Sequence, residues 1–321
     1  KFYTKQTLDL TEKHRLEIES FLFSMLSNQE IDISVYDYLT QKECRTSVLY
    51  LLPKIHKGKT PCPGRPIVSA INSPTEKISQ FVDHFLNPCA FRVKSYLKDT
   101  THFLTTLDQV GDLPENSWLV TLDVVQLYPN ISNEKGILAA KEALEELRPN
   151  PNYKPQNSTL IQLLEFVLTK NNFQFNGDHY HQIHGTSMGT KTAPAYASVF
   201  MGKFEEDFVY MYHKQPILWK RFIDDCFCIF VGTEEELKEF IEYLNSCDSE
   251  LQFTAEYSKS SVNFLDTRVF VENNRVHTDL YNKPTDSHNY LLYDSAHPQK
   301  CKDSIPYSQY LRVRSICSIL S

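Results

Sequence analysis

The chain has 321 residues, 41% of them hydrophobic and 12% aromatic, which is enough to bury a substantial core and excludes an intrinsically disordered protein. Only 9 glycines, with no GxGxxG and no Walker-type run, exclude the glycine-rich nucleotide cradles, and no apolar stretch is long enough to span a bilayer, so no membrane partner is expected. The net charge of −7 does not advertise a nucleic-acid binder, but Lys42, Arg45, Lys54, Lys57, Lys59 and Arg65 stand against Glu43 in residues 42–66, a local basic stripe that can serve a phosphate backbone.

In chain order, residues 8–28 carry Leu8, Leu10, Leu16, Ile18, Phe21, Leu22, Met25 and Leu26 at helical spacing. Val48 to Leu52 and Pro66 to Val68 predict two strands joined by a basic Pro/Gly loop, a hairpin with positive charge at its tip. Residues 76–97 return to helix, and Trp118 to Leu122 predict a buried strand ending at Asp123. Ser132 is placed to cap a helix over 133–147, whose Glu134, Glu142, Glu145 and Glu146 form a solvated acidic face. A helix over about 158–169 follows. Asn171 to Ile183 has strand composition on both sides of Asn176-Gly177, a hairpin signal. Residues 191–212 read as helix, Trp219 to Val231 as a hairpin, and Thr233-Glu234-Glu235-Glu236 as the capping box of a helix to about Asn245. Leu251 to Tyr257, Val262 to Val271 and Arg275 to Tyr281 are three further strand-like runs. The alternation predicts an α+β fold, a β-α-β-β-α-β core with helices packed on one face of the sheet.

Eight cysteines (Cys44, Cys62, Cys89, Cys226, Cys228, Cys247, Cys301 and Cys317) show no paired CxxC spacing, so reduced thiols of an intracellular protein are expected rather than a zinc site. His56, His181, His277 and His297 have no metal-ligand spacing and read as structural or surface residues. The first residue is Lys1, and no signal peptide opens the chain; the numbering is expected to start inside a longer protein.

The sharpest chemical signal is Asp224-Asp225. The two acids interrupt an apolar and aromatic run, Trp219-Lys220-Arg221-Phe222-Ile223-Asp224-Asp225-Cys226-Phe227-Cys228-Ile229-Phe230-Val231. Adjacent carboxylates there are costly unless a positive group meets them, and a divalent metal is the simplest candidate. The predicted topology brings Asp123, at the end of the first core strand, beside this hairpin. Three carboxylates on neighbouring strand ends can hold two Mg²⁺ ions roughly 3.5–4 Å apart, an arrangement that serves nucleotidyl transfer or phosphodiester hydrolysis. Mg²⁺ fills the rest of its shell with substrate phosphates and water.

These residues resemble the reverse transcriptases. Leu122-Asp123-Val124-Val125-Gln126-Leu127-Tyr128 resembles the first catalytic motif, Phe222-Ile223-Asp224-Asp225 the second, and Gly185-Thr186-Ser187-Met188-Gly189-Thr190-Lys191-Thr192-Ala193-Pro194 the intervening glycine loop and helix. Five further runs resemble the Penelope-like retroelement enzymes, relatives of telomerase catalytic subunits. They are Leu52-Pro53-Lys54-Ile55-His56-Lys57, Gly64-Arg65-Pro66-Ile67-Val68-Ser69, Asn263-Phe264-Leu265-Asp266, Lys283-Pro284-Thr285-Asp286 and Ser304-Ile305-Pro306-Tyr307-Ser308-Gln309.

The resemblance implies a right-hand polymerase. Residues 1–116 would form N-terminal helices and fingers, 117–132 and 185–285 the palm, 133–184 a fingers insertion and 286–321 a partial thumb. It implies Asp123 and Asp224 as ligands of both Mg²⁺ ions (Mn²⁺ as a substitute), with Asp225 supporting them. The N–H groups of Val124 and Val125 would meet the triphosphate, clamped by Lys54 and Arg65. Tyr128 would be the steric gate against a 2′-OH, and Gly185 would shape the loop that positions template and nucleotide. Lys259 would protonate leaving pyrophosphate, and Val262 to Phe270 would grip the primer. An RNA template, a DNA primer, dNTPs and a nuclear location are implied as well. His184 stands where relatives commonly carry Gln. A GIY-YIG endonuclease domain, expected in a full-length relative, has no motif here.

Asp266 and Asp286 have no chemical role in this reading; salt bridging or turn capping is expected of them. Two other functions remain open at the level of sequence. One is a non-catalytic relative that only binds RNA and DNA; the other is a two-metal nuclease, in which the gate and the finger cations would have no purpose.

Overall fold

The structure, a computed structural model, describes residues 2–54, 60–283, 286 and 288–318. In chain order its elements are β1 (Tyr3–Gln6), α1 (Thr11–Ser27), α2 (Ile33–Leu39), β2 (Ser47–Pro53), β3 (Gly64–Ser69), α3 (Glu76–Ala90), α4 (Thr100–Leu107), β4 (Ser117–Val124), α5 (Leu127–Asn130), α6 (Asn133–Leu147) and α7 (Asn157–Thr169). There follow β5 (Asn172–Phe175), β6 (Asp178–Gln182), α8 (Ala193–Phe204), β7 (Leu218–Phe222), β8 (Asp225–Val231), α9 (Glu234–Cys247), β9 (Phe253–Ser258), β10 (Ser261–Phe264), β11 (Thr267–Glu272), β12 (Arg275–Leu280) and α10 (Gln299–Ile316). They form two compact units, Lys1–Lys94 with Gln126–Val209, and Ser95–Val125 with Tyr210–Ser321.

The first unit holds a sheet in the order β1-β6-β5-β2-β3 and the mutually packed helices α3, α6, α7 and α8. The hairpin predicted around Asn176-Gly177 is β5–β6, with both turn residues at positive φ. The basic hairpin is β2–β3, in register from Val48 opposite Ser69 to Pro53 opposite Gly64. Its tip, including His56, Lys57 and Lys59, lies outside the described residues. Helix α8 is buried at nearly every position, as its apolar sequence demands. It stops at Phe204, and residues 205–209 continue as one wider π-type turn, shortening the helix predicted to 212.

The second unit is organised by the antiparallel sheet β7-β8-β4-β9. Residues 226–230 of β8 are all buried, because the strand is covered on both faces. Successive side chains alternate sides. Phe230 stacks on Phe240 of α9, with ring centroids 5.5 Å apart. Phe227, of opposite parity, meets Phe103 of α4 at 5.0 Å and Phe264 of β10 at 5.5 Å. The expectation of helices on a single face is therefore corrected: α9 covers one face, and α4 with the sheet β10-β11-β12 covers the other.

Two further boundaries differ from the sequence reading. Val262 to Val271 is a hairpin, β10–β11, turning at Leu265 with φ +52°. Helix α3 ends at Ala90, and the residues beyond it run alongside β7, where Tyr96 bridges Arg221. The capping box at Thr233 and Glu236 forms as read, with Glu236 N–H donating to Thr233 Oγ1 and Thr233 N–H donating to Glu236 Oε2.

Candidate active site

The acids lie where β4 ends and β8 begins. The ladder sets Asp123 directly opposite Asp225, with Leu122 opposite Cys226 behind them. Asp225 also pairs with Phe222, so Ile223 and Asp224 make a two-residue hairpin turn. Such turns favour Asn or Gly, yet Ile223 adopts φ +58°, a conformation costly for a β-branched residue. The Val124 N–H donates to the Asp224 carbonyl at 3.0 Å and fastens the turn to β4.

A cleft of about 280 Å³ opens on this face, lined among others by Thr121, Asp123, Asp225, Asn263, Tyr281 and Lys283. Asp225 is exposed at its rim. Even so, burial of its carboxyl, reinforced by the charges of Asp224 and Asp123, pushes it up to about 6, and Lys283 pulls it back down. Among the described residues, no three His, Cys, Asp or Glu side chains form a ready-made metal cage. Mg²⁺ does not require one, because it usually takes one or two carboxylates and completes its shell with phosphates and water. The crowding that raises the Asp225 carboxyl is relieved by a divalent cation. The donor set therefore fits Mg²⁺, with Asp225 the direct cross-strand neighbour of Asp123, a position that sequence reasoning makes only supporting.

Two expectations for this unit are corrected. The Val124 and Val125 amides are already donated, to the carbonyls of Asp224 at 3.0 Å and Gln252 at 2.8 Å, so they are not offered to a triphosphate. Sheet pairing claims them first. Lys259 follows β9 at the opposite end of the sheet, its Nζ 4.8 Å from the centroid of the Trp118 ring. Trp118 and Asp123 are separated along β4 by about 17 Å at strand rise. Lys259 is not brought to the aspartates.

Lys54, Arg65, Tyr128 and Gly185 belong to the other unit. Lys54 follows β2, its N–H donating to the Pro63 carbonyl at 2.8 Å, and exposed Arg65 sits in β3 opposite Leu52. Tyr128 lies in α5, and its carbonyl accepts the Thr186 N–H at 2.9 Å. Gly185 has φ +68°, and a Cβ there would collide with the Tyr128 carbonyl oxygen and the Pro129 backbone. Glycine is thus required for the loop to lie against the turn that carries Tyr128. His184 donates from Nδ1 to the Pro129 carbonyl at 2.8 Å, which gives the residue in the usual Gln position a job in holding this loop. Further along, the Val68 N–H donates to the Met188 carbonyl at 2.8 Å, tying the loop to β3.

Residues 55–292 match the family described as reverse transcriptase (RNA-dependent DNA polymerase). The chain belongs to the reverse transcriptase family. Residues 289–319 also match an animal helix-turn-helix domain; α10 lies within them. No curated protein sequence matches this reverse transcriptase family member. Among solved structures, it is similar to telomerase from Candida albicans in complex with a TWJ fragment of telomeric RNA. That likeness has a TM-score of 0.56 and 11% identity, covering 86% of this chain and 53% of that one. Telomerase from Candida tropicalis with the same kind of fragment gives TM-score 0.54 and 11% identity, covering 86% and 50%. The RNA-dependent RNA polymerase of BmCPV at elongation state gives TM-score 0.51 and 14% identity, covering 84% and 25%. The α+β fold is that of the right-hand polymerases. The reverse transcriptase chain spans about half the length of the telomerases it matches.

Sequence reasoning missed Lys283, which faces Asp225 from beyond β12. Its signal was the Lys283-Pro284-Thr285-Asp286 run, recognisable as a motif yet silent about which cleft it would enter. The two acids without a chemical role behave as expected. Asp266 pairs with Arg312 Nη2 at 3.5 Å, and Asp286 Oδ1 accepts the His288 N–H at 2.9 Å.

Proposed function

We propose that the chain is an RNA-directed DNA polymerase of the Penelope-like type, extending a DNA 3′-OH on an RNA template with dNTPs. The observation that carries this is the pairing of Asp123 with Asp225 beside the Ile223-Asp224 turn, within a reverse transcriptase family fold. Asp123, Asp224 and Asp225 are the residues that would hold Mg²⁺, or Mn²⁺ in its place. Bound there, the ions would activate the primer hydroxyl and neutralise charge on the leaving oxygens.

The chain's own contribution is positioning and electrostatics. Arg65 and Lys54 bind the triphosphate from the β2–β3 hairpin. Tyr128, its backbone fixed against Gly185 and Thr186, excludes a 2′-OH. The β10–β11 hairpin grips the primer, and Lys283 supplies the cation of the cleft. Nuclear action and a GIY-YIG endonuclease partner domain belong to the same proposal, supported by the motif resemblance.

Primer extension on an RNA template with Mg²⁺ and dNTPs tests the reading. Wild type should incorporate nucleotides, and Asp224→Asn should not while remaining folded. A chain that binds an RNA–DNA hybrid yet incorporates nothing with either metal is a nucleic-acid-binding relative instead. Cleavage of the hybrid without synthesis would mark a nuclease.

A further inference from the structure

Arg221 is 1% exposed, an extreme position for a permanently charged side chain. It lies in β7, next to Phe222 and just ahead of the aspartate turn. A guanidinium leaves water at high cost unless its N–H groups are used. Here Nη1 donates to the Ile223 carbonyl at 3.1 Å, and Nη2 reaches Ser95 Oγ at 3.4 Å. The backbone around it is fixed too: the Arg221 N–H donates to the Ser95 carbonyl at 2.7 Å, and the Arg221 carbonyl accepts the Leu97 N–H at 2.9 Å.

The carbonyl it holds belongs to the residue at φ +58°, and the next residue is Asp224. Left-handed backbone at a β-branched residue persists only where its surroundings over-determine it. The planar fork can serve Ser95 and Ile223 at once, which the single ammonium of a lysine does not do with the same geometry. We propose that Arg221 is a positioning residue for catalysis. Anchored on Ser95, it fixes the Ile223 carbonyl, holds the left-handed turn, and so keeps Asp224 and Asp225 aligned with Asp123. The inference rests on the polymerase reading of these aspartates.

The test compares wild type, Arg221→Lys, Ile223→Gly and the double variant in the full chain. Three quantities are read: thermal stability, amide exchange at Val124 relative to Leu119, and kcat and KM for dNTP in primer extension. Val124 reports the turn because its N–H is donated to the Asp224 carbonyl. Arg221→Lys should speed Val124 exchange and lower kcat about tenfold or more, with KM within about twofold. Glycine takes the left-handed conformation without a Cβ penalty. In the Ile223→Gly background the same substitution should therefore cost less than about threefold, a coupling that mere destabilisation would not produce.

Equal losses in both backgrounds, or unchanged Val124 exchange in Arg221→Lys, would overturn the proposal. If Arg221→Lys does not fold, Ser95→Ala removes the guanidinium's hydroxyl anchor and is read in the same way; unchanged exchange and kcat there count equally against it. An inactive wild type would refute the polymerase reading. The exchange measurement would then still decide whether Arg221 holds the turn.

Discussion

At the scale of single residues, the crowded carboxylates carry the electrostatic cost of the site and, in the proposed function, its chemistry. Asp225 sits beside Asp123 and Asp224, and the charges oppose one another. Neutralising one of them should raise the melting temperature of the metal-free protein while abolishing synthesis, so Asp225→Asn is expected to be more stable and inactive. A lower melting temperature would show that the acids are not crowded. Arg65→Ala removes a charged hydrogen-bond donor of the kind worth about 1.5–3 kcal/mol, so KM for dNTP should rise roughly 10- to 100-fold. An unchanged KM would remove Arg65 from the triphosphate site. The meeting of Asp123 with Asp225 was legible because each sits in a short run of distinctive residue types on a core strand, while Arg65 lies on β3 of the other unit and its role belongs to the proposal. Hydrogen-bond allocation was not legible. Nothing in the local sequence says that the Val124 and Val125 amides go to Asp224 and Gln252, or that Lys259 packs on Trp118, because those partners come from distant strands.

At the scale of elements, the sheet positions the site and the glycine loop positions Tyr128. Gly185→Ala combines a positive φ with a collision against the Tyr128 and Pro129 backbone. It should cost activity severely, and the β4–β8 sheet should stay folded; full activity would contradict the loop's role. Phe227 packs between Phe103 and Phe264, and Phe227→Ala should destabilise its unit by about 3–5 kcal/mol, read by denaturant unfolding. Strands, the Asn176-Gly177 turn and the capping box were readable from periodicity and turn chemistry. Turns built on Leu265 and Ile223 were not, because neither residue signals a turn and tertiary contacts impose the conformation. Helices α2, α4 and α10 also escaped the reading; α10 exposes most of its length and shows no sustained apolar stripe.

At the scale of the whole molecule, each unit is assembled from two separate stretches of chain. The cysteines test that arrangement. Cys62 and Cys301 are exposed, whereas Cys226 and Cys228 are buried in β8 and Cys89 in α3. Burial pushes the Cys228 thiol up strongly and the Cys89 thiol up to about 11. A thiol reagent at pH 8 should modify Cys62 and Cys301 quickly and leave Cys226 and Cys228 untouched until global unfolding. Native-state labelling of Cys228 would contradict the two-sided burial of the central strand. The α+β class was legible in the alternation of strands and helices, and the right-hand form in the motif resemblance. If Asp123, Asp224 and Asp225 form one metal-dependent polymerase site, primer extension on an RNA template is the decisive measurement. Wild type should show Mg²⁺-dependent DNA synthesis, and folded Asp123→Asn and Asp224→Asn should show none. Synthesis that survives either substitution at the wild-type rate would contradict it.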